Sequence, residues 1–166
     1  MSMEILGISA IALGGTGYIW KDPKIVMKLF FISSLLWVAY FLSINQSGAA
    51  LSSLISALTF VAGAYASTRT MRIVVPSGIV VTTGLIMLTT AGLPAVLMIT
   101  GNLIKGASPL FRERPYLFRL LIIGGEICWL TFGIISVAYS TIAWTSISIV
   151  MAAVSGLFYF KQQNDT

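Results

Sequence analysis

Ten basic residues are spread along this chain of 166, and where they fall limits the fold more than any other feature. They are Lys21, Lys24, Lys28, Arg69, Arg72, Lys105, Arg112, Arg114, Arg119 and Lys161. Long apolar runs separate them, and runs of roughly 18 residues or more read as transmembrane helices. Only 9% of residues are charged and 57% are hydrophobic, against roughly 25% charged in an ordinary soluble domain. The apolar positions show no alternation of the kind that marks the strands of an outer-membrane barrel. The chain is therefore expected to be an all-α polytopic membrane protein.

Turn residues divide the apolar sequence into seven predicted helices. The first runs from about Met3 to Trp20 and ends at Lys21-Asp22-Pro23-Lys24. It carries Glu4 but no basic leader, so it is expected to be a retained helix rather than a cleaved signal. The second covers about Ile25 to Ser43, with Pro23 suited to an opening turn. The third covers about Ala49 to Ala66, and the fourth about Ile73 to Thr89, with Pro76 in its first turn. The fifth covers about Leu93 to Ala107. A basic loop from Pro109 to Pro115 leads to the sixth, about Tyr116 to Ser136. Tyr139, Ser140 and Thr141 are expected to form the last turn. The seventh helix should end near Phe160, before a polar, frayed tail from Lys161 to Thr166.

With seven helices, every basic residue lies at or near the 1–2, 3–4 or 5–6 connection, or after the last helix. The amino terminus and the other connections carry none. That is the positive-inside pattern, with the amino terminus outside and the carboxy terminus cytoplasmic. One helix more or fewer would scramble it. The net charge of +5 has the same origin, and no basic stripe with interleaved aromatics points to nucleic acid. The chain has no histidine and a single cysteine, Cys128. A transition-metal site is therefore not expected, and no cofactor is implied.

A repeat crosses this layout. Pro115, Leu121, Trp129 and Phe132 stand 92 residues after Pro23, Leu29, Trp37 and Tyr40. An offset spanning four helices returns the chain to its starting side, so the two three-helix units are parallel repeats joined by one inverting helix. The divisions are 1–68, 69–91 for the linker helix, and 92–166. This 3+1+3 plan resembles the SWEET and PQ-loop transporter superfamily. Within it, the short chain and small loops resemble the bacterial inner-membrane proteins of the YgjV type. The Pro-Gln dipeptide of PQ-loop proteins is absent, and so are mid-helix prolines at four matching places.

The resemblance implies a central cavity flanked by aromatic residues on the second and sixth helices, which here are Trp37 and Trp129. Indoles offer flat apolar walls and N–H donors; the other reading is simple packing. The third and seventh helices of such proteins carry polar residues at the substrate, often Asn. This chain has Ser53 opposite Thr145 and Ser56 opposite Ser148, which read equally as ligand contacts or as small packing residues. Glu126 lies deep in the sixth helix opposite Ser34. A carboxyl in hydrocarbon is costly and marks a functional candidate. Lost hydration favours its neutral form, so it is the candidate proton carrier or ligand donor. Asn102 is the other polar candidate, with an interhelical hydrogen bond as its alternative role. Gly7, Gly14 and Gly15 look like packing sites rather than a phosphate loop.

No nucleophile, general base or metal cluster suggests an enzyme. The leading expectation is a small-solute transporter or facilitator, for a sugar or another small metabolite, with alternating access at a midplane site. The alternative is a non-transporting membrane receptor or assembly protein using the basic stretches Lys21 to Lys28 and Arg112 to Arg119. Expected partners are a small-molecule substrate and membrane lipid, with a homo-oligomer also compatible. The expected location is a bacterial inner membrane.

Overall fold

The computed structural model describes residues 3–20 and 22–164. Lys21 and the tail residues Asp165 and Thr166 lie outside the described residues, as do the side chains of Glu4, Pro23, Pro115 and Lys161. Seven α-helices follow one another: α1 Met3–Gly17, α2 Pro23–Ser43, α3 Ser47–Tyr65, α4 Thr68–Thr89, α5 Gly92–Gly106, α6 Pro115–Ile135 and α7 Tyr139–Asn164. A single 3-10 turn, Ser108–Phe111, fills part of the expected basic loop. Five of the helices are long and apolar enough to cross a membrane. No strand occurs among the described residues.

Several ends differ from expectation, each for a local reason. α1 stops at Gly17, three residues early, and Tyr18 N and Ile19 N close turns onto Gly15 O and Thr16 O. α2 starts at Pro23, because the Asp22 side chain accepts from Lys24 N at 2.9 Å and caps it. α4 starts five residues early at Thr68, where Ser67 Oγ accepts from Thr70 N at 3.2 Å. Arg69 and Arg72 are therefore helical, and Pro76 sits inside α4 rather than in its first turn. Tyr139, Ser140 and Thr141 open α7 instead of forming a turn, and α7 continues past Phe160 to Asn164.

Apolar side chains fill the core and also cover the outside, while many polar ones are buried. Leu88, Val80, Val154 and Leu157 are among many large apolar side chains on the outside. Ser33, Ser52, Thr82, Asn102, Glu126, Thr145 and Ser148 are buried. In lipid, apolar surface gains nothing by turning inward, while polar groups must find partners inside.

The helices pack in two similar chains of neighbours. α2 lies against α1 and α3, and α6 lies against α5 and α7. α4 touches α3 and α5, while α1–α7 and α3–α5 contacts join the ends. Gly7, Ala10 and Gly14 form one face of α1. A Cβ on Gly7 would stand 2.6 Å from Ser140 Oγ, and one on Gly14 would overlap the Trp144 ring, so both serve the packing expected of them. Gly15 has looser contact with Met151.

At the offset read in the sequence, the backbone matches from α2 to the start of α3, though not at α1 and α5. α6 has the bounds of α2 moved by 92 residues, and α7 begins where α3 does on the same scale. Asn45 and Val137, also 92 apart, are the two non-glycine residues with positive φ among the described residues, at 59° and 54°. Each follows a helix end closed by the same long hydrogen bond, Gln46 N to Phe41 O and Ala138 N to Gly133 O, both 2.9 Å. That bond is the mark of a Schellman cap.

α1 and α5 are the two short helices. At 15 residues each they are about 22 Å long, short of a hydrocarbon core of roughly 30 Å. The last turn of α5 and the 3-10 turn behind it pack on α3, α4 and α6.

Candidate functional site

The site begins with a close crossing. Gly101 of α5 and Gly125 of α6 bring their backbones together, so that a Cβ on Gly125 would stand 2.8 Å from Gly101 O and overlap Lys105 Cβ. Glycine at both positions is what allows this approach. One consequence is that Lys105, in the last turn of the short α5, faces Glu126 in the middle of α6. Lys105 Nζ and Glu126 Oε1 are 2.5 Å apart. The carboxylate is 1% exposed and the lysine side chain 21%. A buried charge without such a partner would be severely destabilising.

Glu126 also anchors a hydrogen-bonded chain. Ser148 Oγ of α7 donates to Glu126 Oε1 at 3.2 Å, and Tyr18 Oη is 2.5 Å from Ser148 Oγ. Tyr18 lies just beyond α1, so the chain draws on four parts of the fold. It makes Oε1 the fully engaged oxygen of this carboxylate.

Beside the pair is a cavity of about 50 Å³. Its walls come from α2 (Ser34, Trp37, Phe41), α3 (Ser53, Ser56, Phe60), α5 (Lys105), α6 (Glu126, Trp129) and α7 (Thr141, Trp144, Thr145). The aromatic walls are continuous. Trp37 and Trp144 have ring centroids 6.3 Å apart, and Phe41 bridges Trp37 at 5.6 Å and Trp129 at 6.0 Å.

Three buried polar atoms on these walls lack a protein partner: Trp37 Nε1, Glu126 Oε2 and Thr141 Oγ1. Buried polar atoms are nearly always paired, and each unpaired one costs roughly 1–3 kcal/mol. One is a donor, one an acceptor and one can be either. All three belong to residues that line one small cavity.

The structure thus gathers most of the residues singled out from the sequence. Trp37, Trp129, Ser53, Ser56, Thr145 and Glu126 share the cavity, and Ser148 stands behind Glu126. Thr145 directs its hydroxyl proton to Thr141 O at 2.8 Å, which leaves it an acceptor toward the cavity. Asn102 is elsewhere. Its Nδ2 donates to Ser52 Oγ at 2.6 Å, tying α5 to α3 beside a separate, smaller space.

Sequence reasoning missed Lys105, Trp144, Thr141 and Tyr18. Lys105 was counted as a helix-end charge. Trp144 falls opposite Ser52 under the repeat and so had no matching residue to draw notice.

The basic stretch from Arg112 to Arg119 turns partly inward. Arg112 Nη1 donates to Gly63 O at 2.7 Å and Ala66 O at 3.1 Å, capping the carbonyls at the end of α3. Arg119 is 5% exposed and donates from Nε to Ser155 Oγ at 2.8 Å. These side chains tie helices together, which draws them away from the surface role that a docking protein would give them.

The family model Imp-YgjV, described as a bacterial inner membrane protein, matches residues 1–164. No curated protein and no solved structure matches the chain.

Proposed function

The chain belongs to that family of bacterial inner membrane proteins, and from this premise we propose that it moves a small polar solute across the membrane. The observation that supports the reading best is the convergence of Trp37 Nε1, Glu126 Oε2 and Thr141 Oγ1 on one cavity. Buried polar groups are nearly always paired, so three unpaired ones on residues of one cavity point to a ligand, whereas the fourth, Ser108 Oγ, belongs to no residue of that cavity. A ligand offering both donors and acceptors would satisfy all three.

The proposed architecture is two parallel three-helix units, α1–α3 and α5–α7, joined by α4 in a 3+1+3 plan like that of the SWEET and PQ-loop transporters. The matching bounds of α2 and α6 and the paired left-handed turns support it. The charge sorting supports an outside amino terminus and a cytoplasmic carboxy terminus. The cavity lies where the units meet, as alternating access requires. In this reading Trp37, Trp129 and Trp144 wall the solute, Ser53, Ser56, Thr141 and Thr145 offer hydroxyls, and Glu126 is the polar centre. Tyr18, Ser148 and Lys105 hold Glu126 in place and give protons a hydrogen-bonded route to it.

The test is a thermal-shift screen of the detergent-purified chain against small metabolites, at mildly acidic and at neutral pH. A ligand bound only by the folded state raises its stability by mass action, about 2.7 kcal/mol at a hundred times Kd. The expected hit is lost in Trp129→Ala. Proton coupling would appear as pH-dependent uptake into vesicles that Glu126→Gln renders pH-independent. A hit indifferent to both substitutions would place the binding elsewhere and defeat this assignment.

A further inference from the structure

The charged residues that line the cavity are Lys105 and Glu126, and each has binding capacity to spare. Glu126 Oε2 has no partner. Lys105 Nζ carries three protons and is bonded to Glu126 Oε1. The cavity thus presents a cationic donor and an anionic acceptor side by side, within aromatic walls. Resting on the transport reading above, we propose that its substrate is a small zwitterion, with an ammonium group and a carboxylate on one short skeleton.

Charge balance carries the choice. The Lys105–Glu126 pair is neutral as it stands, so a ligand with a single net charge would bring an uncompensated charge beside the buried Glu126 and the three tryptophans. A zwitterion adds none. Its ammonium takes the open Oε2 of Glu126 and its carboxylate faces Lys105 Nζ and Trp37 Nε1, so four charges alternate in sign around a closed ring. Interactions of this kind strengthen where water is excluded. The faces of Trp37, Trp129 and Trp144 add cation–π attraction for the ammonium end. An uncharged polyol satisfies the hydrogen bonds but leaves the charge alternation unused.

Size points the same way. The cavity of about 50 Å³ holds a few waters at roughly 10–15 Å³ each. That suits a ligand of a few heavy atoms better than a hexose.

The experiment uses the full chain in detergent and reads tryptophan emission, since three of its four tryptophans wall the cavity. The probes are glycine, L-alanine and glycine betaine, set against lactate, ethylammonium and glucose. The zwitterions are expected to change the emission saturably, at concentrations at least about tenfold below those of the other three, a gap of about 1.4 kcal/mol. Glu126→Gln is expected to weaken the zwitterion response by about tenfold or more, with Lys105→Gln as the second variant should the first not fold. The comparison of probes on the natural chain needs neither variant. If glucose, lactate or ethylammonium binds as well as the zwitterions, this proposal is overturned while the transport reading stands. If neither these probes nor the broader metabolite screen gives a response, both are overturned.

Discussion

The two halves of the proposed repeat match most closely at α2 and α6, and do not share their chemistry. α2 with its following turn and α6 with its own agree residue for residue in bounds and in the hydrogen bonds that close their C-terminal ends. Yet at matching positions Ser34 stands opposite Glu126, Leu13 opposite Lys105, Ser33 opposite Gly125, Ser52 opposite Trp144 and Asn45 opposite Val137. The first half holds its helices with ordinary hydrogen bonds, such as Ser33 Oγ to Ala10 O at 2.8 Å. The second brings backbones together at glycines and places an ion pair at the crossing. α2 and α6 keep the same length and closing turn, while the polar interior around them differs, and the charged half of the site is contributed by α5 and α6.

The largest effect should come from breaking that asymmetry at its centre. Glu126→Ala strands the Lys105 ammonium, and removing one partner of a buried pair costs about 3–5 kcal/mol. Ser34→Ala, the matching change, should cost about 1 kcal/mol or less. Denaturant unfolding in detergent micelles compares the two directly. The double variant Lys105→Met with Glu126→Leu should recover most of the lost stability, since an apolar pair of similar volume often replaces an ion pair at no cost. It should also abolish ligand binding. Recovery of stability without function would show that the pair is kept for the solute. Equal losses in Glu126→Ala and Ser34→Ala would show that the halves are equivalent after all.

What could be read in the sequence follows from the same asymmetry. Against an apolar background, proline, tryptophan and an embedded carboxylate stand out, so the helix number and the buried position of Glu126 were legible. Lys105 was not, because a lysine at a helix end normally reaches toward water. Only the shortness of α5 and its glycine crossing with α6 turn it inward. Trp144 was hidden by the repeat itself, since its match is a serine. Asn102 shows the opposite failure. A buried asparagine signals a partner without saying whether that partner is a ligand or, as here, Ser52.

A smaller effect tests how the crossing is made. Gly125→Ala forces a methyl group against Gly101 O and Lys105 Cβ, and overpacking against backbone costs about 1–3 kcal/mol. It should also weaken ligand binding, because α5 must retreat and carry Lys105 with it. Ser33→Ala, at the matching position, loses one hydrogen bond at about 1 kcal/mol and should leave binding intact. The discriminating measurement is therefore ligand affinity rather than stability. A Gly125→Ala protein that binds normally would detach the crossing from the site.

The smallest effect concerns the paired turns, and its sign is the informative part. Asn45 and Val137 both hold left-handed backbone, at φ 59° and 54°. Asparagine tolerates that region, whereas a side chain branched at Cβ is strained there by about 1–2 kcal/mol. Val137 is 61% exposed, so replacing it sacrifices little packing. Val137→Asn should therefore stabilise the protein by about 1 kcal/mol, and Asn45→Val should destabilise it by a similar amount. Unfolding midpoints of the two variants, measured side by side, check both signs at once. Opposite and similar shifts would mean that the two turns carry the same conformational load, which is the energetic content of a repeat. If Val137→Asn gave no gain, the strain at α6–α7 would be relieved by something the first turn lacks, and the likeness of the halves would end at their hydrogen-bond pattern.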